Sequence, residues 1–244
     1  KANVGGQVEL MSGALNEFQG GPTVGSAFLV ATRPAGLHYD YEVDSYLVAG
    51  FYNLQHSLSD GLRVLHSLRL EYLDYDYTNK HIVGNTKDDG TPCGFGGCLY
   101  SRPESRTDSF TNVGTRLGVE KDLSAGLLYA SASSGFRPPQ VTELYRLRGG
   151  QTVADLDSER LTAFEAGFKN EAVAVAAFVE RTRDFLFRDS DAFNVSDGRT
   201  RSAGVEFSGT RTVGRHEFQL SATYAKHEYD FTRSATGREE IGRK

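Results

Sequence analysis

The sequence predicts an all-β protein, a partial antiparallel transmembrane β-barrel, and two observations carry that prediction. Residues alternate in polarity over segments of about ten, the period-two pattern of a strand with one apolar and one polar face. The connections also sort by length. Short turns near His56 to Gly61, Lys121 to Gly126, Lys169 to Glu171 and Arg211 to Arg215 alternate with long polar excursions at Thr78 to Asp108, Gly135 to Glu159 and Asp184 to Thr200. A membrane barrel needs that asymmetry, because hairpins close tightly on one side while the other side carries ligand-facing loops. A soluble sandwich or propeller has no reason to sort its loops in this way.

Each element is read from its two faces. From Leu62 to Tyr72 one face carries Leu62, Val64, His66, Leu68, Leu70 and Tyr72, and the other Arg63, Leu65, Ser67, Arg69 and Glu71. The first set is expected to meet lipid, with His66 at the edge of the apolar band or satisfied by a neighbour. From Thr111 to Lys121, Val113, Leu117 and Val119 oppose Asn112, Arg116 and Glu120. Ala203, Val205 and Phe207 oppose Gly204, Glu206 and Ser208, and Phe218, Leu220, Ala222 and Tyr224 oppose Gln219, Ser221 and Thr223. Eight strands follow, paired as 45–55 with 62–76, 109–120 with 125–135, 160–169 with 172–183, and 200–210 with 216–229. One or two more are expected within Gly5 to Arg33, which makes about ten. Tyr72, Tyr75, Tyr77, Phe110, Phe185, Phe187, Tyr229 and Phe231 gather where strands reach the long-loop end, as an interfacial aromatic girdle does.

Bulk composition excludes other classes. The 244 residues are 39% hydrophobic, and the longest apolar run, Ala172 to Val179, is far short of the roughly 20 residues of a membrane helix. A net charge of -5 with scattered Lys and Arg gives no basic stripe for nucleic acid. There is no Gly-x-Ser-x-Gly, His-Glu-x-x-His or Gly-x-Gly-x-x-Gly, and the six histidines are scattered, so nothing points to an enzyme or to a resident cofactor. The chain starts in polar sequence without a signal peptide, and Arg238 to Lys244 reads as a loop cut in mid-course. Both features are expected of a fragment of one larger barrel domain, spanning 1–244 here.

A family resemblance enters with the stretch Tyr129-Ala-Ser-Ala-Ser-Ser-Gly-Phe-Arg-Pro-Pro-Gln-Val-Thr-Glu-Leu-Tyr145. It resembles the barrel of TonB-dependent outer-membrane receptors. Asp155-Leu-Asp-Ser-Glu159, Phe164-Glu-Ala-Gly-Phe-Lys169, Asn194-Val195 and Arg201-Ser-Ala-Gly-Val-Glu-Phe207 follow in the family's order, although the first lacks the usual prolines. The resemblance implies a barrel of 22 strands in a Gram-negative outer membrane, plugged by an amino-terminal domain and lacking here its plug and closing strands. It implies import of a scarce ligand with energy from the TonB complex, a ferric siderophore being the first expectation. Cobalamin, haem, oligosaccharide, and a passive porin or adhesin barrel stay open. The Gly-Phe-Arg-Pro-Pro end is expected to face the exterior.

Candidate chemistry lies in the long loops. Cys93-Gly-Phe-Gly-Gly-Cys98 holds the only two cysteines, and an even pair in an exterior loop suits a disulfide worth about 2 kcal/mol. A zinc site instead needs two more ligands, of which His81 supplies at most one. Arg137, Arg146 and Arg148 cluster with Tyr145 in one loop, and Arg102 and Arg106 flank the cysteine loop with Tyr100. Arginine and tyrosine around a vestibule suit an anionic ferric siderophore. The alternative is local pairing with Glu104, Glu143 and Asp155, and Arg137 is expected to brace barrel or plug. Asp189, Asp191 and Asp197 have calcium-like spacing but lack the glycine and terminal glutamate of a calcium loop, so solvated carboxylates are expected and no metal is assigned.

Overall fold

The computed structural model describes residues 1–235 and 238–241. Nine strands form one antiparallel meander in sequence order: β1 (Ala2–Gln19), β2 (Gly36–Ser59), β3 (Leu62–Asn79), β4 (Arg106–Leu123), β5 (Gly126–Arg137), β6 (Glu159–Lys169), β7 (Val173–Arg188), β8 (Asn194–Val213) and β9 (His216–Tyr229). Thr232–Ala235 (β10) and Arg238–Ile241 (β11) pair as a separate hairpin. Two short helices lie in connections, α1 (Ala27–Thr32) before β2 and α2 (Val141–Tyr145) before β6. Among the described residues no helix is long and apolar enough to cross a membrane.

The four expected pairings are all present and extend further than the polarity pattern suggests. β2 runs for 24 residues, roughly 80 Å at 3.3 Å per residue, whereas a tilted strand crosses a bilayer in about ten. Its first half therefore stands clear of any membrane. The tight ends have local causes. Asp60-Gly61 closes β2 onto β3 with Gly61 at φ 66°, and Gly214 at φ 63° starts the β8–β9 turn, the left-handed conformations that two-residue hairpins require. Between β6 and β7, Asn170 Oδ1 accepts the backbone N–H groups of Ala172 and Val173 at 2.9 Å.

Face assignment follows the ladder. Leu70, Val113, Leu117, Val205, Leu220 and Tyr224 are exposed on one side. Their neighbours Arg69, Glu71, Asn112 and Glu120 lie on the other, where Arg69 donates to Glu71 at 2.6 Å and to Gln7 at 2.8 Å. His66 is satisfied by a neighbour: Tyr52 OH sits 3.0 Å from its Nδ1.

Several expectations are corrected. Of the one or two strands expected within Gly5 to Arg33 one forms, β1, and the rest of the segment turns into α1, which Ser26 caps by accepting the Leu29 N–H. Asp184 to Thr200 is not a long loop: β7 and β8 remain paired up to Arg188 and Asn194, joined by residues 189–193. Short and long connections therefore do not strictly alternate. Two register shifts near Phe185 had masked the alternation there. Arg238 to Ile241 is strand rather than loop, and 242–244 fall outside the described residues.

The girdle is corrected as well. Tyr75 and Tyr77 turn inward with Tyr39, Tyr41, Val43 and Leu73 to form a buried core with Tyr100, Leu144, Tyr145, Leu147, Ala154 and Leu156, and Phe110 packs against it. Tyr72 stays half exposed on the outer face, and Phe185, Phe187, Tyr229 and Phe231 cluster with ring centroids 5.1 to 6.3 Å apart. Loop side chains thus cover the inner wall where β2 and β3 rise above their neighbours.

Candidate functional site: an arginine-lined vestibule

The long loops fold inward and are tied to the strand ends. Leu147 is the pin. Its carbonyl accepts Tyr39 OH at 2.5 Å and the Ser101 N–H at 3.0 Å, so β2 and both long loops meet at one backbone group. Of the side chains flanking Leu147, Arg146 is thereby held over Tyr39 and Arg148 lines the same recess. Burial raises the Tyr39 hydroxyl to about 12, which keeps it a neutral donor.

Around that point lies a polar recess of about 60 Å³ lined by Glu17, Arg33, His38, Tyr39, Tyr100, Arg146 and Arg148. A space of that size holds a few waters at most, so an organic ligand has to rest across its mouth. The mouth is cationic. Arg146 pairs with Glu17 and stacks over Tyr39 at 5.7 Å, Arg33 reaches Glu17 at 3.6 Å, and Arg148 is exposed and makes no ion pair among the described residues. Arg188, at the end of β7, leans on Asn194 Oδ1 at 3.3 Å. Burial lowers its pKa, and the nearby charges of Arg148 and Arg146 lower it further. Glu17 is the single carboxylate serving Arg33, Arg146 and the buried His38.

The structure sorts the sequence candidates. Arg146 and Arg148 come together at the mouth. Tyr100, Arg102 and Tyr145 are buried framework: Arg102 donates to the carbonyls of Ile82, His38 and Thr86 and to Thr86 Oγ1, while Tyr145 stacks on Tyr77 at 4.2 Å and donates to Asp108 at 2.8 Å. Arg106 pairs with Asp108 and Asp155 at 2.5 and 3.0 Å. Arg137 bridges Glu143 and Glu159 at 3.1 and 2.8 Å, locking α2 against β6. Cys93 and Cys98 are joined as a disulfide, and their ring docks on α1 through Gly94 N–H to Ala31 O and an edge contact of Phe95 with Phe28. Asp189 is not a solvated carboxylate; it is buried and caps its own turn by accepting the N–H groups of Asp191 and Phe193.

Sequence reasoning missed Glu17, Arg33, His38 and Arg188. Arg33 and Glu17 lay in a stretch blurred by glycine and proline, and nothing local marks them. Arg188 had a signal, the run Phe185-Leu-Phe-Arg188 continuing β7 beyond its bulge.

The family described as TonB dependent receptor-like, beta-barrel matches residues 4–242. The chain belongs to the TonB-dependent receptor β-barrel family. Members reside in the outer membrane of Gram-negative bacteria, and the receptor barrel is placed there. A search of the curated proteins returns no match. Among solved structures the chain is similar to a copper transporter, OprC (15% identity, TM-score 0.60, 93% of this chain and 36% of that one). It is also similar to the ferric-catecholate import receptor Fiu of E. coli K12 (15%, 0.59, 92% and 35%) and to the ferric yersiniabactin uptake receptor FyuA of Yersinia pestis (14%, 0.54, 80% and 29%). At these identities the likeness speaks for the fold. The chain spans about a third of the length of these proteins.

Proposed function

We propose that residues 1–244 are part of one receptor barrel domain that captures an anionic iron chelate, a ferric siderophore, and imports it with energy delivered through TonB. The cationic mouth carries this reading. Four guanidinia, Arg33, Arg146, Arg148 and Arg188, surround Tyr39 with one carboxylate among them. Guanidinium forks donate charge-assisted bonds to catecholate, phenolate or carboxylate oxygens, and Arg146 lies over the Tyr39 ring, an aromatic surface beside the mouth. A bare metal cation is disfavoured at such a mouth, and among the described residues no cluster of three His, Cys, Asp or Glu side chains forms a metal site. Long loops are assigned to the cell exterior and tight turns to the periplasm.

The test uses the full-length receptor in a deletion strain under iron limitation, with catecholate, phenolate and hydroxamate ferric chelates and cobalamin as probes. Replacing Arg146 and Arg148 by Ala should weaken binding of the favoured ferric chelate at least tenfold, about 1.4 kcal/mol, with wild-type affinity falling as salt rises. Uptake should stop in a TonB-deficient strain. Import of cobalamin alone, or entry that persists without TonB, overturns the reading.

A further inference from the structure

The outer wall carries a second cationic surface that the vestibule does not use. Arg160 of β6, Arg183 of β7 and Arg199 of β8 are direct cross-strand neighbours in one row, and Arg181 and Arg201 face each other in the next row down. All five are on the face that also bears Phe164, Val179 and Val205, and all five are exposed. Side chains directly opposite in an antiparallel pair have Cβ atoms about 5 Å apart, and like charges there oppose pairing. Yet none of the five makes an ion pair among the described residues. Two carboxylates lie across from the patch, Glu228 opposite Arg201 and Asp230 opposite Arg199; Glu228 pairs with Lys226 at 2.7 Å, and Asp230 reaches Arg199 only through a backbone bond, its N–H donating to the Arg199 carbonyl at 2.8 Å. A row of unscreened guanidinia is a costly thing to build into a sheet unless something anionic lies against it.

Height on the wall says what that is. From Val173, at the tight-turn end of β7, to Arg183 is ten residues, about 33 Å along the strand and roughly 25 Å along the membrane normal at a barrel tilt near 40°. That is the height of the apolar band, so the guanidinia stand at its far edge, directly above Phe164, Val179 and Val205. An occupant must therefore offer acyl chains below and more than one phosphate at the boundary, spread over a patch about 10 Å wide. We propose that Arg160, Arg181, Arg183, Arg199 and Arg201 bind the phosphorylated headgroup of the multiply acylated glycolipid that forms the external leaflet of the outer membrane. Arginine suits the task because its planar fork engages phosphate oxygens in pairs. The inference rests on the proposed sidedness of the barrel but not on the identity of the imported ligand.

The experiment uses the full-length receptor purified in detergent, with bound lipid measured by native mass spectrometry. The probes are bisphosphorylated lipid A, the same lipid without its phosphates, and phosphatidylglycerol. Wild-type protein should retain lipid A and bind it at least tenfold more tightly than either other probe. R181S/R183S/R201S should lose at least tenfold, whereas the matching Lys variant keeps most of the binding. Equal retention by wild type and the Ser variant, or equal binding of dephosphorylated lipid, overturns the proposal. Should the Ser variant fail to assemble, the three-probe comparison on wild type decides alone. A preference for phosphatidylglycerol with externally exposed loop tags overturns only this inference, whereas the same preference with tags reached only from the periplasm overturns the sidedness.

Discussion

Arg102 shows how a residue type that reads as a ligand contact becomes framework. Its guanidinium is buried without a carboxylate, and three carbonyls from two chain segments plus one hydroxyl satisfy it. A buried cation tolerates that only when nearly every N–H has an acceptor. Removing it leaves those carbonyls unpaired, so the change loosens the cysteine loop rather than emptying a binding site. His81 makes the same loop pH-sensitive. Burial, then the charge of Arg102, lowers its pKa from the ordinary 6.5, against the opposing pull of Asp88 at 3.3 Å. A base whose pKa falls on folding binds fewer protons folded than unfolded, so its contribution to stability is full above pH 6.5 and shrinks as pH falls below that value. Limited proteolysis of the loop 80–105 should accelerate between pH 6.5 and 5 in the wild type, and H81Q should flatten that dependence. Equal acid sensitivity in both proteins would assign the effect elsewhere.

At the scale of elements, the pairings were legible because one apolar face repeats at period two through β3, β4, β8 and β9. What the polarity pattern did not contain was the length of the strands. Above the membrane both faces of β2 and β3 meet protein or water, so Tyr39, Tyr41, Tyr75 and Tyr77 resemble a girdle in sequence while serving as core in space. The bulge at Asp184, with φ 55°, broke the alternation and hid the top of β7 together with Arg188. Charged residues of the vestibule were half legible: Arg146 and Arg148 stand near an aromatic in sequence, but Arg33 joins them only through packing. The face assignment gives a sharp comparison. L70R and V205R place a charge on the exposed apolar wall and should each cost about 2 to 4 kcal/mol if the site lies near the bilayer midplane. E206A, on the inner wall, should cost about 1 kcal/mol or less because Glu206 is exposed, whereas R69A should cost more than E206A because it leaves the buried Glu71 without its cation. The heat-resistant fraction of full-length barrel on a gel reads the difference, and equal losses would mean the face assignment is wrong.

For the whole molecule the arrangement joins three heights on one wall: tight turns at one end, an apolar band, then guanidinia outside and a loop-filled vestibule inside. Such an order has a direction. Variable loops with a cationic mouth serve capture only if they meet the medium, and tight hairpins suit the side from which strands are threaded. An epitope inserted at Gly90, in the exposed cysteine loop, or at Ser190, in the five-residue β7–β8 connection, should therefore be stained on intact cells carrying the full-length receptor. An epitope after Glu171, in the β6–β7 turn, should be stained only once the outer membrane is opened. Ser190 is the more demanding site, because a long polar loop was expected there and the structure instead gives a paired ribbon that lifts this connection well beyond Arg183. Staining at Glu171 with silence at Gly90 and Ser190 would invert the barrel, turning Arg146 and Arg148 toward the periplasm and leaving the medium with no cationic mouth to meet.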